Sequence, residues 1–129
     1  MMDLLEPFEK MLADHVSPAA VRAVEQGSDP AEMWAAIADS GFLDALVPEA
    51  AGGFGLSLAE VAPLLMALGR YAVPLPVGET MLARALLADA GIERPAGAVV
   101  LVTGALPSPS ARVAGHALVE RQGRVHLID

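Results

Sequence analysis

Residues 46–61 read LVPEAAGGFGLSLAEV, with three glycines in four positions between a Pro-Glu pair and an apolar run. How this stretch is read decides the fold. Ser57-Leu58-Ala59-Glu60 is a capping-box pattern: the serine hydroxyl can accept from the Glu60 amide, and the glutamate can reach back to the serine amide. Leu56 before the cap and Val61 after it are placed as a hydrophobic staple. A helix is therefore expected to begin right after Ser57. Its apolar members Leu58, Val61, Leu64, Leu65 and Leu68 cover the broad face of a helix in a bundle core. Pro63 should remove one backbone bond and bend it, and Gly69 is its expected end.

The glycines admit two readings. Bare backbone can approach a ligand, with helix amides facing an anion. Alternatively, glycine permits positive φ and close packing where one helix turns into the next. Gly52, Gly53 and Gly55 do not make G-x-G-x-x-G, and Ser57 and Glu60 already occupy the helix amides, which favours the second reading.

Upstream of this loop the chain reads as three helices. DLLEPFEKMLADH places Leu4, Leu5, Phe8, Met11 and Leu12 at helical spacing, with Pro7 in the opening turns. Ser17-Pro18 caps and starts a short second helix that Gly27 closes. Asp29 is expected to cap the Glu32 amide of a third helix carrying Met33, Trp34 and Ile37, with Glu32 reaching back and Gly41 ending it. Downstream, YAVPLPVGET is an extended connection, followed by a fifth helix over residues 77–90 closed by Gly91. After Pro95 the period changes. AVVLVTGAL is β-branched and continuous, as in a buried strand, and GHALVERQGRVHLID is a hairpin turning near Gln122-Gly123. The expected fold is mainly α: a bundle of about five helices over residues 1–92, then a short, incomplete antiparallel β segment over 93–129. So small a sheet, with an edge it cannot cover, reads as the beginning of a larger one.

Charge follows the same division. Residues 1–92 hold 13 acids and 4 bases, whereas 93–129 hold 3 acids and 4 bases. The net charge of −8 argues against a nucleic-acid partner. With 54% hydrophobic residues the 129-residue chain can bury a core, yet no apolar run reaches the ~18 residues of a membrane span. The acidic start MMDLLEPFEKML lacks the basic flank of an export signal, so the cytoplasm is the expected location. Cysteine is absent, which excludes disulfides and thiolate chemistry.

No catalytic constellation is evident. His15, His116 and His126 share no metal-ligand spacing, and the latter two lie on expected strands without an acidic neighbour. Glu6, Glu9, Glu25 and Glu32 fall on exposed helix faces. Glu49, beside the glycines, is better placed, with a backbone-bonding role favoured over catalysis. Ser108 and Ser110 lack a His/Asp arrangement. Trp34 is expected in the core. No catalytic or metal-binding residue is assigned.

One stretch nevertheless carries a pattern. EMWAAIADSGFLDALVPEAAGGFGLSLAEVAPLLMALGR resembles the N-terminal helical domain of the acyl-CoA dehydrogenase family, through Trp34, Gly41-Phe42-Leu43, Val47-Pro48-Glu49, Gly52-Gly53, Gly55, Ser57 and Leu68-Gly69-Arg70. The resemblance covers residues 30–91 closely and the first thirty by layout. It implies a helical domain, a middle β domain and a C-terminal helical bundle, with FAD bound between the last two and a bundle glutamate removing the α-proton of an acyl-CoA thioester. It further implies electron transfer to an electron-transferring flavoprotein and a homo- or hetero-oligomer. The start of the helix after Leu-Gly-Arg lines the acyl slot in that family, which points here to Val77, Gly78, Met81 and Leu82; packing within the bundle is the competing role. VTGALPSPS departs from the family's flavin-contacting segment, and no position matches the bundle glutamate. The chain is thus expected to be part of a larger flavoprotein. A non-catalytic helical module, or a degenerate subunit partnering a catalytic chain, is the alternative.

Overall fold

The computed structural model describes residues 4–104 and 110–129. Five helices come first: α1 (Leu5–His15), α2 (Pro18–Glu25), α3 (Ala31–Asp39), α4 (Leu58–Arg70) and α5 (Val77–Asp89). Three strands follow: β1 (Val99–Val102), β2 (His116–Arg121) and β3 (Arg124–Ile128). The mainly α architecture with a small terminal sheet is as expected. The sheet itself is mixed rather than antiparallel throughout, in the order β1-β2-β3. β2 and β3 form the expected hairpin, while β1 runs parallel to β2 with Leu101 opposite Leu118. A parallel pair cannot be joined by a tight turn, and thirteen residues accordingly lie between β1 and β2 in the sequence. Ser108 lies outside the described residues.

The helices pack around one apolar core. Phe8, Leu12, Ile37, Val61 and Met81 are completely buried in it. Phe8 meets Phe42 edge-to-face, with centroids 4.9 Å apart, so α1 is fastened to the short 3₁₀ turn Phe42–Asp44 that follows α3. Burying one such ring contributes about 1.5–3 kcal/mol. A second, smaller cluster joins α5 to the sheet: Ala83 and Leu87 lie against Val99 and Leu118, with Leu101 and Leu127 at its margin.

Helix ends reveal where local signals hold and where they fail. Ser57 Oγ accepts from the Glu60 amide at 3.1 Å, and Glu60 Oε1 accepts from the Ser57 amide at 3.0 Å, completing the expected capping box. Ser17 likewise caps α2. Asp29 does not form the expected box with Glu32; its Oδ1 accepts instead from the Ala31 amide, because the helix begins one residue beyond Pro30. α4 continues through Pro63 and past Gly69 to Arg70. It ends where Val73 N–H bonds to the Leu68 carbonyl and Ala72 N–H to that of Gly69, a Schellman closure with Ala72 at φ 51°. Leu58, counted above with the inner face of α4, is 55% exposed, since the first helical turn projects beyond its neighbours.

Candidate functional site

The glycine loop is a brace for what surrounds it. Gly52 and Gly55 adopt left-handed φ values of 93° and 66°. At Gly53 a Cβ would collide with the backbone carbonyls of Val47 and Asp44, so the chain can double back over the Phe42–Asp44 turn only with hydrogen there. The loop amides are consumed in that return: Phe54 N–H bonds to the Asp44 carbonyl at 3.1 Å, Gly55 to Val47 at 2.8 Å and Leu56 to Ala45 at 3.0 Å. Glu49 does not take the backbone-bonding role expected of it. Its carboxylate makes no hydrogen bond among the described residues, and its stem lies against Gly55.

The braced turn presents Asp44 to α5. Arg84 Nε donates to Asp44 Oδ1 at 2.6 Å and Nη2 to Oδ2 at 3.3 Å, a two-point pair, while Nη1 reaches the Pro95 carbonyl at 2.9 Å. Arg94 donates to the Ala51 carbonyl at 3.0 Å, and Trp34 Nε1 to the Ala96 carbonyl at 3.4 Å. Three side chains thus hold the passage from helices to sheet. Trp34 is half-buried rather than central because its indole N–H is spent there.

α5 also fixes the sheet. Thr80, the buried polar side chain of the core, has Oγ1 2.7 Å from the Pro76 carbonyl and 3.1 Å from that of Val99, and accepts from the Val99 amide at 3.0 Å. Glu79 Oε2 accepts from the Leu101 amide at 2.7 Å. Val99 and Leu101 point these groups away from β2, so two helix side chains occupy the outer edge of β1 in place of a strand. The sequence reading left that edge uncovered and missed Glu79, Thr80 and Arg84. The available signal was a polar residue at an inward position of an apolar helix.

Val77 and Met81, expected along an acyl slot, lie in the main core, 1% and 0% exposed. Leu82 and Gly78 are half-buried. A Cβ at Gly78 would stand 3.2 Å from Leu65 Cδ2 and 3.8 Å from Leu68 Cδ1, so this glycine sits where α4 and α5 approach closely. Two clefts, of about 330 and 610 Å³, open elsewhere, the first among α1, α2 and α3 and the second among α1, α2 and the end of α4.

The titratable residues singled out from sequence are not brought together. Glu9 pairs with Arg70 at 3.2 Å. His116 Nε2 lies 2.9 Å from Asp129 Oδ1, an acidic neighbour that register supplies and sequence distance conceals. Glu6, Glu25, Glu32, His15 and His126 are exposed. Among the described residues no group of three His, Asp or Glu side chains could hold a metal. The glycine-loop amides are bonded within the loop and the α4 terminus is capped by its own side chains, so neither of these two places is free to cradle the phosphates of FAD. No described helix is long and apolar enough to cross a membrane.

The architecture is that of a helical domain whose last helix docks a small sheet. Residues 2–94 match the family model described as acyl-CoA dehydrogenase, N-terminal domain, and the chain belongs to that family. It is 36% identical over 96 residues to the acyl-CoA dehydrogenase IpdE2 of Mycolicibacterium smegmatis, covering 71% of this chain and 30% of that protein. It is 38% identical over 92 residues to the acyl-CoA dehydrogenase IpdE2 of Mycobacterium tuberculosis, covering 67% and 29% respectively. The chain therefore spans under a third of the length of these curated relatives. No solved structure matches it significantly.

Proposed function

We propose that these residues are the N-terminal part of a flavoprotein that oxidises an acyl-CoA thioester to its α,β-enoyl-CoA. The family match over residues 2–94 carries this reading. Residues 1–92 form its helical domain and residues 93–129 begin its middle β domain. FAD, held by chain beyond these residues, supplies the oxidising power, and an electron-transferring flavoprotein takes the electrons onward. The complete protein works in the cytoplasm as an oligomer, and the catalytic base comes from outside the residues described.

Val77, Gly78, Met81 and Leu82 flank the apolar end of the acyl chain. Their contribution is shape. Val77 and Met81, buried with no surface open to a ligand, act by holding this turn of α5 in place; Leu82, half-buried, is the side chain with surface to meet one. The test uses the full reading frame. The purified complete protein is expected to absorb as a flavoprotein and to oxidise acyl-CoA. Leu82→Phe should reduce kcat/KM for long acyl chains about tenfold more than for short ones. Gly78→Leu is a poor probe, because the Leu65 contact makes it a packing lesion; Gly78→Ala asks only Leu65 to yield slightly. An unaltered chain-length profile in Leu82→Phe refutes the slot assignment, and a complete protein that holds no flavin, or whose flavin acyl-CoA does not reduce, refutes the activity.

A further inference from the structure

Helix α5 is held unequally by its two neighbours. Toward the sheet it is fastened by directional bonds: Thr80 joins both backbone groups of Val99, and Glu79 Oε2 accepts from the Leu101 amide. Toward α4 the contact is apolar. Gly78 lies against Leu65 and Leu68, and among the described residues no hydrogen bond or ion pair joins α4 to α5. Apolar burial is non-directional, so it holds the two helices together but leaves the slide and rotation of one on the other loosely set.

Arg84 supplies what that contact lacks. Its two-point pair with Asp44 fixes direction as well as distance, and the side chains are only 15% and 28% exposed, so solvent weakens the pair less than at an open surface. Asp44 is itself a fixed post: its amide bonds to the Gly41 carbonyl, and its carbonyl accepts from Val47 and Phe54. Among the described residues, no other side chain of α5 makes a polar contact with residues 4–72. The third arm, Nη1 on the Pro95 carbonyl, ties the same guanidinium to the segment that leads into β1. Leu82 and Arg84, two positions apart, leave the helix in directions about 200° apart, so a rotation of α5 that loosens Arg84 also swings Leu82.

Resting on the reading that Gly78 and Leu82 flank an acyl chain, we infer that Arg84 is a positioning residue for that slot. By fastening α5 to Asp44 it sets how α5 lies on α4, and so which acyl lengths the slot admits. Arg84 does not touch the substrate. It acts through Leu82, whose direction it fixes from the opposite side of the helix. Without the pair, α5 stays with the sheet through Glu79 and Thr80 and rocks on the apolar surface of α4.

Two measurements test this, each made well below the melting point of every variant. The 129-residue chain has no cysteine, so nitroxide labels on Met66→Cys and Leu86→Cys, both at exposed positions, report the α4–α5 distance by electron spin resonance. The distribution should be narrow in the labelled parent and broader once Arg84→Gln is added. In the complete protein, the ratio of kcat/KM for dodecanoyl-CoA over butanoyl-CoA should move toward one by about fivefold in Arg84→Gln, through KM rather than kcat. Arg84→Lys, which restores the charge but not the two-point pair, should recover part of the ratio. Asp44→Asn should shift it in the same direction, and the double variant no further than Arg84→Gln alone. Should Arg84→Gln fail to fold, Asp44→Asn decides. A merely structural role lowers the melting point and leaves the ratio unchanged; an unchanged ratio, or an unbroadened distance, overturns the inference. A broadened distance and shifted ratio with an unaltered Leu82→Phe profile would refute the slot assignment alone. A complete protein whose flavin acyl-CoA does not reduce would refute the flavoenzyme reading, and the label distances would still decide whether Arg84 fastens α5.

Discussion

Thr80→Val isolates the joint between helices and sheet. Valine matches threonine in shape, so the substitution opens no cavity and changes helix propensity little. It removes the acceptor of the Val99 amide and the hydroxyl shared by the Pro76 and Val99 carbonyls. The Pro76 carbonyl keeps the Thr80 amide as donor, at 3.0 Å. The two groups of Val99, on a residue with no solvent exposure, are left unpaired. Each buried unsatisfied group costs about 1–3 kcal/mol, and the added methyl returns roughly 0.8 kcal/mol. The net loss is therefore about 1–5 kcal/mol, with a midpoint near ~3 kcal/mol that corresponds to roughly 10 °C in melting temperature for a chain of this size. Thr80→Ser keeps the hydroxyl and loses a methyl, a cost of about 1 kcal/mol. Thermal unfolding followed by circular dichroism should rank wild type above Ser and Ser above Val. Exchange at the Val99 amide should rise most in the Val variant. If the Val variant melts at or above the Ser variant, the hydroxyl is not what anchors β1.

Three further outcomes follow from the geometry. Gly53→Ala should destabilise by about 3 kcal/mol or more in urea titration, because the atoms a methyl would strike are backbone carbonyls that cannot step aside. Gly69→Ala, inside α4 with open space at its Cβ, should instead stabilise by about 0.5–1 kcal/mol in the same assay. The Glu60 carboxyl is held below its ordinary value, first by the Ser57 backbone amide and then by the Ser57 hydroxyl. Its stabilising effect is complete above the ordinary glutamate value and disappears as pH falls through the lowered one. Comparing urea midpoints at about pH 7 and about pH 3, Glu60→Gln should show a smaller acid-induced drop than wild type.

Local chemistry made much of the helical domain legible in the sequence. Ser17 and Ser57 with Glu60 mark helix starts because their partners lie three residues away, and the apolar spacing of Phe8, Leu12, Ile37 and Val61 marks the core. Where local signals competed, they misled. Asp29 could serve Ala31 or Glu32, Gly69 could end a helix or sit within one, and Leu58 could face in or out. Only packing chooses among such alternatives. The His116–Asp129 contact was invisible for a different reason: it depends on strand register, which no single stretch contains.

The sequence alone determined that the glycine loop turns one helix into the next, that α4 starts at Ser57, and that a β segment follows α5, since each depends on backbone preferences and neighbours within a few residues. Tertiary structure alone decided how the two parts are joined. Thr80 meets Val99 across 19 residues, Arg84 meets Asp44 across 40 and Trp34 meets Ala96 across 62. Contacts of that range leave no periodic trace, because either partner by itself is an ordinary helix or turn residue and becomes a lock only when the folded chain brings the other within hydrogen-bonding distance.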